Sequence, residues 1–356
     1  MSADIRLLYY PDDITLLHSL FPLLRSPARR RLVFTPRVED ALRPDGIDTL
    51  IVFRLQKLIR SQTEETLLDR LRDRYRRLIV FDDTADPREV RPAAVRVADQ
   101  YFKKQLCADR DEYRRTVYGK RLFSDYYHRT HGIEDRNPTI LDPLSEEDIG
   151  KLRLSWNLGI GSFPRSSRRQ GALRRLPYPG VARLLHPNPL RHLERPVLEA
   201  EHRDPKISAR FAPRYDKATV AYQREHFSVR VGEDERFLTG TLSRRAFARE
   251  LSRVAIVLSP FGWGEICFRD FEAVTAGAVL MKPSMSHIET WPDIYRDGVT
   301  YASVDWDGAR LEEVAARLLA DPAYRNRLAQ SAREIYADAF RELSGRVERF
   351  FEEVRG

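Results

Sequence analysis

The sequence has few cysteines and no long apolar run. Its 356 residues include two cysteines, Cys107 and Cys267, which lie outside any CxxC or Cys/His ligand spacing. We therefore expect neither a disulfide framework nor a zinc site. No apolar stretch is long enough to cross a bilayer, and the first residues lack the basic start and apolar core of an export signal. These absences predict a cytoplasmic protein that folds in a reducing compartment.

Charge, by contrast, is abundant. The net charge is +8, and hydrophobic and charged residues make up 42% and 32% of the chain, which is a globular balance. The length favours two separate cores. The positive charge suggests an anionic partner, which could be nucleic acid, a membrane surface or a phosphorylated substrate, and charge alone does not choose among them.

In the first half, short apolar runs alternate with amphipathic segments. The runs IRLLYY, RRLVFTP, DTLIVFRL and LIVFDDTAD predict strands, and ITLLHSLFPLLR and TEETLLDRLRDRYRR predict helices. Because the apolar runs barely alternate, we expect a parallel sheet that is covered by helices on both faces. The sequence thus predicts a Rossmann-like domain over residues 1–163.

The second half repeats this alternation after a connector rich in proline and arginine, which we place at residues 164–204. Residues 205–340 form the second predicted domain. Within it we expect a helix over 217–225, a strand over 227–232 (FSVRVG) and a strand over 254–260 (VAIVLSP). Residues 341–356 are predicted to form a last helix, with packing on the N-terminal domain as one option. Two such domains in tandem leave a cleft between the carboxyl ends of their sheets.

The segment after VAIVLSP has the pattern of an anion site. Gly262 and Gly264 lie in a loop that leads directly into a helix, where backbone N–H groups and the positive helix end attract phosphate. Arg269 and Glu272 are three residues apart and project from one helix face. Such a carboxylate can accept hydrogen bonds from ribose hydroxyls, and the arginine can pair with a diphosphate. The alternatives are an ordinary turn and a surface ion pair.

This segment resembles the C-terminal donor-binding domain of GT-B glycosyltransferases of the group 1 type. The resemblance covers residues 206–340, and it depends on Arg269, Phe271, Glu272, Ala273, Gly277 and Pro283. It implies an α/β fold of GT-B type, with two Rossmann-like domains facing a central cleft. It also implies that Glu272 binds ribose and that Gly262 and Gly264 approach the diphosphate or the sugar. Glu265 precedes Glu272 by one residue fewer than in the paired-glutamate subfamily, so its role is open.

The activity that the resemblance implies is sugar transfer from a nucleoside diphosphate, UDP or GDP, to an acceptor hydroxyl. The partners would be the nucleotide-sugar donor and a glycan, lipid-linked or small-molecule acceptor. We expect no cofactor, no metal and no specific nucleic acid. Bacterial surface-glycan or glycoconjugate assembly is the expected setting, and a lipid-linked acceptor would allow the arginine-rich connector to contact a membrane surface.

Further candidate residues surround this site. For donor binding they are Arg210, Trp263, Glu265, Lys282 and His287, and for catalysis they are Asp83, Asp86 and Arg269. The two aspartates follow a predicted strand, where one could act as general base toward the acceptor, although turn or cap chemistry is the simpler interpretation. Lys282 and His287 follow the next strand, where we expect both to face the cleft. Residues 103–129 mix cations with aromatics and could line an acceptor pocket, bind nucleic acid, or form an ordinary surface.

Two other functions are compatible with the sequence. A basic nucleic-acid-binding α/β protein would bind polynucleotide with steep salt dependence. A catalytically inactive scaffold would bind nucleotide but transfer no sugar.

Overall fold

Two all-parallel sheets form the frame of the protein. The computed structural model describes residues 4–12, 15–59, 63–161, 190–232 and 234–356. The first sheet has the strand order β2-β1-β3-β4-β5-β9. Its strands are β1 (Ile5–Tyr9), β2 (Leu32–Thr35), β3 (Thr49–Phe53), β4 (Arg77–Asp82), β5 (Gln100–Lys103) and β9 (Leu152–Leu154). Every residue of β1 is buried, as expected for a strand covered on both faces.

The second sheet has the order β11-β10-β12-β13-β15. Its strands are β10 (Asp204–Ser208), β11 (Phe237–Leu238), β12 (Val254–Leu258), β13 (Val279–Pro283) and β15 (Ala302–Val304). The run VAIVLSP thus supplies the central strand β12, and β12 is buried throughout. The four remaining strands form two antiparallel pairs, β7 (Val117–Tyr118) with β8 (Ile140–Leu141), and β6 (Gln105–Cys107) with β14 (Ile288–Thr290).

Helices cover the sheets. Those before the connector are α1 (Phe21–Arg25), α2 (Val38–Ala41), α3 (Leu55–Leu58), α4 (Glu64–Arg74), α5 (Pro92–Val97), α6 (Leu122–His131) and α7 (Glu146–Gly150). Those from Leu190 onward are α8 (Leu190–Leu193), α9 (Ala218–Gly232), α10 (Arg244–Leu251), α11 (Phe268–Ala276), α12 (Leu311–Ala320), α13 (Pro322–Arg341) and α14 (Leu343–Arg355). In α4 the Thr63 hydroxyl accepts a hydrogen bond from the Thr66 N–H at 3.2 Å, which is a standard N-cap.

The strand predicted over 227–232 is wrong, because these residues continue helix α9. Val220, Gln223, Phe227 and Val231 are all buried along α9, and their spacing of three or four residues is that of one helix face. The β-branched valines suggested a strand, but burial of this face against the second sheet decides the local structure.

The two sheet domains contact each other directly. Strand β6 of the N-terminal half pairs with β14 of the C-terminal half. Helix α14, at the end of the chain, packs on the first sheet, where the Phe350 ring lies 4.7 Å from that of Phe102 and 5.2 Å from that of Trp156. These contacts fix the carboxyl ends of the two sheets opposite each other.

The connector predicted at 164–204 lies largely outside the described residues, since 162–189 are not among them. Its described end contains α8 and a short turn at Ala200–His202 before β10 begins. Among the helices that the structure describes, none combines the length and apolarity that a membrane crossing requires.

Candidate active site

A cleft of about 1330 Å³ lies between the two domains. Loops after β3, β4 and β5 form its N-terminal wall, and loops after β10, β11 and β12, with the start of α11, form its C-terminal wall. Ligands of doubly wound sheets bind at such carboxyl ends. The described lining includes two carboxylates, Asp83 and Glu272, and six cations: Arg54, Lys104, Arg210, Arg224, Arg244 and Arg269. The excess of cations suits an anionic ligand.

The glycine loop after β12 forms the centre of the C-terminal wall. The Gly262 N–H donates to the Gly264 carbonyl at 3.0 Å, which closes a tight turn. A Cβ atom on Gly264 would lie 1.6 Å from the carbonyl oxygen of Ala85 in the N-terminal domain, whereas one on Gly262 would lie 3.1 Å from the Tyr215 hydroxyl. Gly264 is therefore required where the domains approach each other, and Gly262 borders the open cleft.

The start of α11 is fixed by a buried carboxylate, Asp270, which is inaccessible to solvent. It accepts hydrogen bonds from the Cys267 N–H at 3.0 Å, the Ser259 hydroxyl at 2.5 Å and the Tyr295 hydroxyl at 2.9 Å. The Lys282 ammonium lies 3.3 Å from it and is also fully buried. Lys282 therefore does not face the cleft as we expected from the sequence. It supports the glycine loop from behind, through Asp270.

Arg269 and Glu272 both line the cleft, one turn apart on α11. Arg269 donates to the Arg210 carbonyl at 2.9 Å. The Glu272 carboxylate makes no hydrogen bond or salt bridge with any residue in the described ranges. Burial raises the pKa of Glu272, while the nearby charges of Arg244 and Arg269 oppose this rise. A half-buried carboxylate without a partner can accept hydrogen bonds from a ligand.

Of the other arginines of this wall, Arg244 is exposed to solvent, and Arg210 and Arg224 are held by protein groups. Arg210 lines the cleft, but its guanidinium pairs with Glu250 at 2.6 Å. Arg224 donates to the carbonyls of Ala212 and Phe261 at 2.6 and 2.7 Å, and its guanidinium lies 4.8 Å from the centre of the Tyr215 ring. Arg224 thus stabilises the backbone of the wall while it contributes positive charge.

Trp263 lies at the rim of the cleft with half of its surface exposed. Its carbonyl accepts a hydrogen bond from the Arg121 guanidinium at 2.5 Å, and the same guanidinium lies 5.6 Å from the indole centre. The Tyr215 ring meets the indole edge-on at 5.4 Å. The indole is therefore a fixed apolar surface against which a base or sugar ring can pack.

Glu265 and His287 lie together behind this rim, away from the described cleft lining. Glu265 is fully buried. Its carboxylate accepts a hydrogen bond from the Gln105 amide at 3.2 Å and lies 3.4 Å from His287 Nε2. Because Gln105 belongs to β6 and His287 immediately precedes β14, this group joins the two domains.

On the N-terminal wall, Asp83 lines the cleft and is nearly buried. It accepts hydrogen bonds from the Arg54 guanidinium at 2.9 Å and the Ser19 hydroxyl at 2.6 Å. Burial raises the pKa of Asp83, and the charge of Arg54 opposes this effect. Asp86 lies behind the wall and 2% of its surface is exposed. Burial, reinforced by the charge of Glu89, raises its pKa to about 7.

Sequence reasoning missed Arg54 and Tyr215, and it did not separate Lys104 from the other cations of residues 103–129. All three line the cleft. Each follows a strand of a parallel sheet, so the rule that ligands bind at carboxyl ends was the available signal. Nothing in the local sequence distinguishes them from the many other charged and aromatic residues.

No protein-family model matches this sequence, and no curated protein matches it. Solved structures do match. An α-glucosyltransferase in complex with UDP and a 13-mer DNA is similar with a TM-score of 0.50 and 11% identity over 100% of both chains. A UDP-forming trehalose-phosphate synthase from Burkholderia vietnamiensis has a TM-score of 0.47 and 13% identity, over 100% of this chain and 97% of the other. Anabaena HepE in complex with UDP has a TM-score of 0.46 and 11% identity, over 99% of this chain and 100% of the other.

The chain therefore has the GT-B glycosyltransferase fold. The prediction of two Rossmann-like domains that face a central cleft is confirmed.

Proposed function

We propose that this protein is a glycosyltransferase that moves a sugar from a nucleoside diphosphate to an acceptor hydroxyl. The observation that carries the proposal is Glu272, a half-buried carboxylate without a partner, one helical turn from Arg269 in a cleft rich in cations. A nucleotide sugar complements both side chains. Its ribose hydroxyls can donate hydrogen bonds to Glu272, and its diphosphate carries the negative charge that Arg269 attracts.

In this proposal the donor is held by the C-terminal wall. Glu272 accepts hydrogen bonds from the ribose. The Gly262 loop, the N-terminal end of α11 and Arg269 surround the diphosphate, where negative charge grows as the glycosidic bond breaks. Trp263 packs against the base or the sugar. Lys282, Glu265 and His287 act as positioning residues, because the structure buries them behind the wall.

The acceptor is placed against the N-terminal wall, with Asp83 as the proposed general base. Asp83 lines the cleft, and its raised pKa brings its basicity closer to that useful near neutral pH. Asp86 is assigned a supporting role, because its carboxylate lies behind the wall. The cations of the cleft are proposed to neutralise the leaving group without a metal.

For the donor nucleotide we propose UDP first and GDP second. The α-glucosyltransferase of the same fold is in complex with UDP. The acceptor is proposed to be a glycan, lipid-linked or small molecule in bacterial surface-glycan assembly, handled in the cytoplasm. A lipid-linked acceptor predicts peripheral binding to acidic liposomes, which co-sedimentation would detect.

A melting assay with nucleotides tests the proposal. One of UDP, GDP, ADP or CDP should stabilise the full chain saturably, by about 2.7 kcal/mol at a hundred times its Kd. Glu272→Ala should weaken that nucleotide about 10- to 100-fold, because charge-assisted hydrogen bonds are lost. Glu313→Ala, an exposed glutamate of α12, is the matched control and should bind like the wild type.

The other outcomes each identify a different protein. If no nucleotide stabilises the chain and it binds polynucleotide with a steep salt dependence, the basic nucleic-acid-binding alternative is correct. If a nucleotide binds but no nucleotide sugar is hydrolysed or transferred, the chain is an inactive scaffold. Equal nucleotide affinity in Glu272→Ala would contradict the site assignment itself.

A further inference from the structure

Lys104 is a buried cation without a partner on the N-terminal wall. It follows β5 and lines the cleft beside Asp83, and 7% of its surface is exposed. Its ammonium makes no hydrogen bond or salt bridge with any residue that the structure describes. An ammonium has three N–H donors, and a buried charge without acceptors is unfavourable. This side chain is therefore arranged to receive acceptor atoms from a ligand.

The neighbouring lysine shows what a structural role looks like at this point of the chain. The Lys103 ammonium donates to Asp82 Oδ2 at 3.0 Å, to the Thr84 hydroxyl at 3.3 Å and to the Glu89 carbonyl. Its three donors are satisfied within the protein. Two adjacent lysines thus differ in function, because one belongs to the interior of the domain and the other points into the cleft.

Asp83, the carboxylate nearest in the wall, does not satisfy Lys104. Its Oδ1 accepts from Arg54 and its Oδ2 accepts from Ser19, and no salt bridge joins it to Lys104 in the described chain. Burial lowers the pKa of Lys104, and the charge of Asp83 opposes this effect. The Lys104 backbone is also fixed, since its carbonyl accepts a hydrogen bond from the Thr290 hydroxyl at 2.9 Å.

We propose that Lys104 binds an anionic group of the acceptor, a phosphate or a carboxylate. The acceptor class is then a sugar phosphate or an acidic sugar, and Lys104 excludes neutral sugars because they would leave its charge unpaired. This inference rests on the proposed function. It places the acceptor anion on the N-terminal wall, opposite the groups proposed to hold the donor diphosphate.

The donor diphosphate is the other possible source of an anionic oxygen, so the experiment separates the two. Full-length wild type, Lys104→Met and the control Lys57→Met, an exposed lysine of α3, are first titrated with UDP, or with the nucleotide that the panel selects. We expect equal nucleotide affinity in all three. Without ligand, Lys104→Met should melt at a higher temperature than the wild type, because a buried charge without a partner is removed.

The second titration is done at saturating nucleotide, with inorganic phosphate and then acetate as probes at constant ionic strength. Phosphate or acetate should raise the melting temperature of the wild type and of Lys57→Met saturably. The affinity for the anion should be at least about tenfold lower in Lys104→Met than in the wild type, as expected for the loss of a charge-assisted contact.

Three results would overturn the inference. One is an anion response that Lys104→Met leaves unchanged, another is a wild type that responds to neither anion, and the third is a loss of nucleotide affinity in Lys104→Met. A failure of the proposed function looks different, because the wild type would then respond to no nucleotide in the first titration.

Discussion

The two walls of the cleft are built alike, but the unpaired charge that each withdraws from solvent has the opposite sign. Behind the N-terminal wall, Lys103 and Asp82 form a buried pair at 3.0 Å, and behind the C-terminal wall Lys282 and Asp270 form one at 3.3 Å. In each domain the pair lies at the carboxyl end of the sheet and fixes the loop in front of it. Each pair joins a lysine at the end of a strand to an aspartate, which ends strand β4 in the first domain and lies in helix α11 in the second.

The difference lies in the side chains that line the cleft. On the N-terminal wall the carboxylate of Asp83 is paired with Arg54 and the cation Lys104 is not paired. On the C-terminal wall Arg210, Arg224 and Arg269 bind protein groups. Arg244 is exposed to solvent, and the half-buried carboxylate of Glu272 is not paired. A free anion matches hydroxyl donors and a free cation matches an anion. The two walls should therefore bind chemically different substrates of the reaction.

Breaking one of the buried pairs should have the largest effect. Lys282→Met leaves Asp270 charged and buried, and Lys103→Met does the same to Asp82. Each is expected to lower the free energy of unfolding by about 3–5 kcal/mol, as measured by urea denaturation. If only one of the two variants loses stability, the buried ion pairs do not stabilise the two walls in the same way.

The double variant Lys282→Met with Asp270→Leu is the control for this prediction. Replacing both charges by apolar groups of similar volume should recover most of the stability. A double variant as unstable as the single one would show that packing around Lys282, and not its charge, accounts for the loss.

The next largest effect is a dependence of stability on pH that comes from Asp86, behind the N-terminal wall. The pKa of Asp86 is about 7 in the folded protein and 3.8 in its ordinary environment. The folded state therefore binds a proton at Asp86 that the unfolded state has released, and the contribution of Asp86 to stability falls as pH rises from about 4 to 7, by on the order of 4 kcal/mol. Asp86→Asn should remove this contribution, so the difference in stability between the wild type and the variant should change across this pH range, which unfolding at a series of pH values would measure. A difference that stays constant would contradict the assignment to Asp86.

The C-terminal wall could be predicted from sequence to a greater extent than the N-terminal wall. The strand, the glycine loop, Arg269 and Glu272 are contiguous, so their local pattern contains the geometry. On the N-terminal wall, Arg54, Asp83 and Lys104 come from three loops and meet because three parallel strands end together. No local pattern contains that arrangement.

Burial was the other quantity that sequence did not supply. Lys282 lies near the end of β13 and Lys104 directly follows β5, yet Lys282 is sealed behind the loop and Lys104 lines the cleft. The role of one glycine also differs from the prediction. Gly264 was expected to approach a phosphate, and in the structure it approaches the backbone of Ala85.

A smaller effect should separate the two glycines. Alanine at 264 places a Cβ atom against the backbone of the opposite domain, so the domains must shift, at a cost of about 1–3 kcal/mol. Alanine at 262 meets the end of a Tyr215 side chain, which can move by a few tenths of an ångström. Gly264→Ala should lower the melting temperature while Gly262→Ala leaves it nearly unchanged and weakens nucleotide binding. Equal melting temperatures would show that the domains do not pack closely at Ala85.

The smallest expected effect tests the difference between the walls directly. Asp83→Ala removes the acceptor of hydrogen bonds from Arg54 and Ser19, so it should cost about 1–2 kcal/mol of stability in the absence of ligand. Glu272→Ala removes a carboxylate whose burial the charges of Arg244 and Arg269 offset only in part, so stability should stay the same or rise by a few tenths of a kcal/mol. Urea denaturation of both variants measures the two changes. If Glu272→Ala lowers the free energy of unfolding more than Asp83→Ala does, Glu272 has a structural partner in the protein. Its carboxylate is then not available to a ligand, and the assignment of the unpaired anion to the C-terminal wall fails.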